Sequence, residues 1–171
     1  NRGYLVLQPN FRGSTGYGNE FLYAGYGEWG RKMQDDITDG VRALIKDGFA
    51  DPDRVCIVGA SYGGYAALAG GAYTPDLYKC VVAIAPVTDL PRMIHDVERK
   101  RGRDHWVVDY WEELIGDPRA ERDKLLEISP VEAAANFTAP VLLIHGIDDT
   151  IVPVNQSKRM ERALKSEGKS V

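Results

Sequence analysis

The sequence predicts a layered α/β domain built on a mostly parallel sheet with helices on both faces, and three features carry that prediction. Three continuous apolar runs, at residues 54–58, 79–85 and 140–145, read as strands buried on both faces. Stretches with helical spacing of apolar residues lie before, between and after them. Strand and helix therefore alternate along the chain, which calls for parallel strands joined by crossovers. With 44% hydrophobic and 27% charged residues over 171 positions, the composition supplies one globular core and argues against disorder.

Taken in order, residues 3–8 (Gly-Tyr-Leu-Val-Leu-Gln) form a short apolar run closed by Pro9 and Asn10, and a buried strand is expected there. A loop at 10–18 follows, in which Gly13, Gly16 and Gly18 permit sharp turns. From 29 to 47, Met33, Ile37, Val41, Leu44 and Ile45 recur at helical spacing with Asp35, Asp36 and Asp39 mostly on other faces, and Gly48 reads as the helix stop. Asp51-Pro52-Asp53 is a turn into the strand at 54–58; the glycine-rich stretch 59–64 then leads into a helix-prone Tyr-Ala-Ala-Leu-Ala segment. Between the strands at 79–85 and 140–145, residues 88–139 are long and polar and read as an inserted cap. Its charge run at 95–105 is expected to be a solvated helix and loop. Val154, Met160, Ala163 and Leu164 outline a last amphipathic helix, and a further strand is expected to start near Val171. Cys56 and Cys80 each sit within an apolar run, so two small buried hydrophobes are expected rather than a disulfide.

Several function classes find no support. A net charge of −4 and a pI near 5.4 give no basic surface for nucleic acid, so no nucleic-acid partner is expected. No apolar stretch approaches the roughly 18 residues a membrane span requires, so no membrane partner is expected either. His95, His105 and His145 are widely spaced and neither CxxC nor HExxH occurs, so neither metal nor cofactor is expected.

The strongest chemical signal is Gly59-Ala60-Ser61-Tyr62-Gly63-Gly64, a GxSxG between a buried strand and a helix. A serine on so sharp a turn points its Oγ outward, and flanking glycines let strand and helix crowd together. Ser61 is thus the candidate nucleophile, and the N–H of Tyr62 at the helix start is aimed where a carbonyl oxygen would become negative, as half of an oxyanion hole. A second signal follows the last strand, at His145-Gly146-Ile147-Asp148-Asp149-Thr150-Ile151-Val152-Pro153. A carboxylate just past a strand end is where an α/β-hydrolase holds the acid that orients its histidine. Chemistry alone leaves Asp148 and Asp149 both open. His145 precedes the acid, whereas the base of this fold follows it, so His145 reads as a packing or hydrogen-bonding residue. No histidine lies between Asp149 and Val171.

The loop at 10–18, the Gly-Ala-Ser-Tyr-Gly-Gly-Tyr at 59–65 and the HGxxDxxVP pattern at 145–153, in that order, resemble the prolyl oligopeptidase family of serine peptidases. Trp29-Gly30, Asp36 and Ser129-Pro130 match as well, and the acylaminoacyl-peptidase and dipeptidyl-peptidase branches are the nearer ones. The resemblance implies an α/β-hydrolase catalytic domain over 1–171, incomplete at both ends. A strand with a second oxyanion donor and a β-propeller would precede Asn1, and the triad histidine would follow Val171. It implies Ser61 as nucleophile, Tyr62 as backbone oxyanion donor and Asp149 as triad acid. It also implies short peptides as substrates and leaves a homo-oligomer open. An esterase or lipase on the same scaffold is the alternative, and a non-catalytic hydrolase-like binding domain a second one. The 171 residues alone are expected to be a fragment, inactive for want of a histidine and unstable as an autonomous domain because a buried strand would lack its neighbour.

Overall fold

The computed structural model describes residues 2–171. Strands β1 (Cys56–Ala60), β2 (Cys80–Ile84) and β3 (Val141–Ile144) form a parallel sheet in the order β1-β2-β3, in the register Val58↔Val82 and Val82↔Leu142. The first two are joined by helix α3 (Tyr62–Tyr73); β2 and β3 are joined by helices α4 (Leu90–Arg101), α5 (Trp106–Ile115) and α6 (Arg122–Glu127). Helices α1 (Asn19–Tyr23) and α2 (Lys32–Lys46) precede the sheet, and α7 (Asn155–Ser166) follows it.

Helix α3 is the hub. Four of its twelve residues are glycine, a poor helix former, so its stability comes from burial rather than propensity. The glycines are needed for closeness. A side-chain carbon at Gly70 would lie 2.9 Å from both Ile57 and Tyr78, and one at Gly71 would lie 2.7 Å from Phe137 and 2.8 Å from Val81. On one flank of α3, Tyr65 packs with Trp29, Met33, Leu90 and Met93; on the other, Leu68 packs with Val81, Phe137, Met160 and Leu164.

The parallel α/β layering expected from the sequence is present, and α3 and α7 cover the sheet face that carries Val81, Ala83 and Val141. The opposite face receives no helical cover from the described residues: Val58 is 64% exposed and Leu142 54%, with Ile84 and Ile144 beside them. The free edge of β3 meets the end of the chain, where the Val141 N–H donates to the Ser170 carbonyl. Within residues 88–139, the charge run is the end of α4 and its loop. There Arg103 and Arg119 each donate to both Glu98 and Glu112, tying α4 to α5.

Three expectations are corrected. Residues 3–8 are not a strand: Tyr4 is 83% and Val6 81% exposed, and no strand among the described residues pairs with them. An apolar run becomes a strand only when a neighbour accepts its ladder. The strand placed at 54–58 starts at Cys56, because Pro52–Arg54 is a 3-10 turn that Asp51 caps by accepting the Asp53 N–H. Cys56 and Cys80 are joined as a disulfide, and Cys56 is exposed. Periodicity identifies strands but not their register, and here the register sets the two cysteines opposite each other with Cα atoms 4.7 Å apart.

Candidate active site

Parallel strands bring their carboxyl ends to one edge, and both sequence signals lie there. Ser61 directly follows β1, and the loop holding Asp149 follows β3. Ser61 has φ 56° and ψ −118°, a backbone conformation that costs of the order of 1–3 kcal/mol for a residue with a side chain. The surroundings hold it. Its N–H donates to Ile84 at the end of β2 (2.9 Å), and its carbonyl accepts from Tyr65 N–H (3.1 Å). A side chain at Gly59 would collide with the Gly63 carbonyl, and one at Gly64 would sit 2.9 Å from the Ile84 oxygen and 3.0 Å from Pro86 Cα. Gly63 itself has open space, so the crowding that the motif implies falls on Gly59 and Gly64. The Ser61 side chain emerges at an exposed position.

Tyr62 is the first residue of α3, where a backbone N–H has no acceptor within the helix. Its ring lies between Phe11 (centroids 5.2 Å) and Trp29 (4.6 Å), and its hydroxyl is buried without a hydrogen-bond partner. Burial first, and then the nearby Asp36 charge, push the phenol well above its ordinary range, so it stays neutral.

Asp149 closes a tight turn, donating its N–H to Gly146 (3.3 Å). Its Oδ1 accepts from Val152 N–H (2.9 Å) and Ile151 N–H (2.8 Å), and these bonds hold the carboxyl below the usual carboxylate range. Oδ2 takes no part in that turn and lies 3.7 Å from His145 Nε2. Asp148 is exposed. His145 is buried, with Nε2 2.9 Å from the Val152 carbonyl and Nδ1 2.7 Å from Ser157 Oγ. A carbonyl only accepts, so Nε2 carries a proton toward Val152, and Nδ1 pairs with the Ser157 hydroxyl. Both ring nitrogens are thus engaged, Nε2 within the loop after β3 and Nδ1 to α7. His95 pairs with Glu98 on α4, and His105 caps α5 by accepting from Val107 N–H.

Two supports escaped the sequence reading. Ala85 has φ 45° at the end of β2, between the two signals, and its N–H donates to Ile144 (2.7 Å). Nothing local in the sequence marks it, since the following Pro86 favours extended backbone at negative φ, the opposite of what Ala85 adopts. Buried Gln156 accepts through Oε1 from the N–H groups of Thr88 and Asp89 (2.8 Å each), tying the loop after β2 to α7. No local pattern marks a glutamine for a partner so far away in sequence.

Comparison with known proteins agrees with this fold. The model of the Prolyl oligopeptidase family matches residues 1–171. Dipeptidyl aminopeptidase BIII of Pseudoxanthomonas mexicana is 40% identical over 171 residues, a stretch covering 97% of this chain and 24% of that protein. Acylamino-acid-releasing enzyme of Rattus norvegicus is 27% identical over 96% of this chain and 22% of its own length. Among solved structures, uncomplexed Pyrococcus horikoshii acylaminoacyl peptidase superposes with a TM-score of 0.83 at 30% identity, covering 95% of this chain and 26% of that one. The chain thus spans about a quarter of the length of these relatives. With a family model matched from end to end and the strained serine turn in place, the chain belongs to the prolyl oligopeptidase family.

Proposed function

We propose that this chain supplies the nucleophile and the acid of a serine peptidase acting on short peptides, as part of a longer polypeptide. Ser61 Oγ attacks the scissile carbonyl and gives its proton to a histidine, which passes it to the leaving amine. Water then enters and gives a proton to the same histidine as its oxygen bonds the acyl carbon; the histidine returns that proton to Ser61 Oγ as the Oγ–acyl bond breaks, and the carboxylic acid leaves. The Tyr62 N–H holds the oxyanion formed in each step. Asp149 orients the histidine through Oδ2, since Oδ1 is already engaged by Ile151 and Val152.

The observation that carries this reading is the strained backbone of Ser61, held at the same sheet edge as Asp149. The histidine of this scheme lies outside these 171 residues, as the family resemblance implies, since His145 is engaged by Val152 and Ser157, His95 faces Glu98 and His105 accepts from the Val107 N–H. The relatives' names, dipeptidyl aminopeptidase and acylamino-acid-releasing enzyme, favour peptide over ester substrates.

The test is a fluorophosphonate probe on the full-length polypeptide, with aminoacyl-nitroanilide, blocked-peptide and short-chain ester substrates run beside it. Labelling at Ser61 that disappears in Ser61→Ala, with peptide turnover exceeding ester turnover relative to uncatalysed rates, is the expected result. Full peptidase activity in Ser61→Ala would refute it. The 171 residues alone are expected to hydrolyse peptides slower by several orders of magnitude.

A further inference from the structure

Asp36, on α2, takes three donors from a single residue. Its Oδ2 accepts from the Arg12 backbone N–H (3.0 Å) and from Nε (2.8 Å), and its Oδ1 accepts from Nη2 (2.6 Å). The pair is about a quarter to a third exposed, a setting in which ion pairs add little to stability. What it does add is position. It pins the loop at residues 10–18 against α2, and the loop is stiff in its own right. The Phe11 carbonyl accepts from both the N–H and the hydroxyl of Ser14, and Gly13 N–H donates to Phe21. A side chain at Gly25 would lie 2.6 Å from Gly13 Cα, so the loop and the end of α1 meet backbone to backbone.

The outcome of this bracing is the place of the Phe11 ring, one of three aromatic rings around that of Tyr62, with Trp29 and Tyr65. A tyrosine is normally located by the hydrogen bond of its hydroxyl when buried. The Tyr62 hydroxyl makes none, so only packing locates the ring, and the ring sits on the same residue as the N–H aimed at the oxyanion. We propose that the Arg12–Asp36 pair is a positioning device for the oxyanion donor: it seats Phe11 on Tyr62 and thereby fixes the direction of the Tyr62 backbone N–H. This rests on the role assigned to Tyr62 above. Arg12 and Asp36 touch neither substrate nor the reacting atoms in this scheme.

Two variants of the full-length polypeptide test it. Asp36→Asn keeps the shape of the carboxylate and removes its charge; Phe11→Leu leaves the ion pair intact and removes the aromatic ring. Each is measured for kcat, for KM, and for inhibition by a peptidyl boronic acid. That inhibitor becomes a tetrahedral anion on the serine oxygen and needs the oxyanion donor as the transition state does. Both variants should lower kcat roughly 10- to 100-fold, the scale of a misplacement near 1 Å. KM should stay within about twofold, and boronate affinity should fall by the same factor as kcat. A merely structural role would not couple boronate affinity to kcat. Unchanged kcat in both variants, a loss confined to KM, or a fall in kcat with boronate affinity intact would overturn the proposal. If Asp36→Asn fails to fold, Phe11→Leu decides alone. Failure of the unsubstituted protein to label at Ser61 would overturn the assignment of Ser61 itself, and this inference with it.

Discussion

Two surfaces of the same sheet are open to solvent, and they differ in kind. At the carboxyl edge, Ser61, Ala85 and Asp149 are each held by named hydrogen bonds, two of them in backbone conformations that cost free energy. On the uncovered face, Val58, Ile84, Leu142 and Ile144 are exposed simply because no described helix reaches them. Exposure alone therefore does not mark a site. Exposure combined with strain that the surroundings enforce does, because such strain persists only where neighbours over-determine it. The hydrophobic face carries no strain and marks a packing surface.

Substitution separates the two surfaces, and the largest effect belongs to the edge. Ser61→Ala in the full-length polypeptide should lower kcat by about 10⁶-fold, measured on an aminoacyl-nitroanilide, with the melting temperature little changed because the exposed Ser61 side chain makes no core contact. Asp149→Asn should cost roughly 10⁴-fold in kcat, since the amide presents the wrong partner to the histidine. Asp148→Asn should remain within a few-fold of the parent. Equal losses at 148 and 149 would break the claim that the Ile151 and Val152 N–H groups single out one of the two carboxylates.

The covered face answers to stability instead. Leu164→Ala, in α7 and fully buried, should lower stability by about 2–5 kcal/mol in urea titration. Val58→Ala, measured in the same titration of the full-length polypeptide, should change it by no more than about 0.5 kcal/mol where that face stays open. A full-length polypeptide in which Val58→Ala costs as much as Leu164→Ala would show that further residues cover this face, which sharpens the contrast rather than removing it. At the serine turn, Gly59→Ala should cost about 1–3 kcal/mol, because the new methyl meets a backbone carbonyl that cannot turn away.

The same division explains what could be read from the sequence. The sheet strands were legible because residues 80–84 and 141–144 are continuous apolar runs, and α2 and α7 because their apolar residues keep helical spacing. Ser61 was legible because the steric demand of its turn is written into adjacent glycines. Asp149 was distinguishable from Asp148 only by family resemblance. The turn bonds that set it apart depend on how residues 151 and 152 fold back, and spacing does not encode that. Residues 3–8 misled because an apolar run specifies a strand only when a partner exists. The cysteine pairing was hidden for the related reason that register belongs to two strands at once. The short α1, lacking any buried residue, has no periodicity to betray it.

The smallest effect bears on why Asp149 stays ionised. The Val152 and Ile151 N–H groups stabilise the carboxylate and not the carboxylic acid, so the folded-state pKa lies below the unfolded value near 4. A group depressed in this way contributes stability that is fully present above its unfolded pKa and is lost as pH falls through the folded one. Thermal melts of the full-length polypeptide and of Asp149→Asn should therefore differ by a constant margin from pH 7 down to about 5. The margin should then close as acid protonates Asp149. The asparagine oxygen can still accept from both N–H groups, so the part of the margin that closes reports the charge and the part that remains reports the shape of the turn. A margin that stays constant to pH 3 would mean that the turn, not the ionisation, is what residue 149 contributes to the fold.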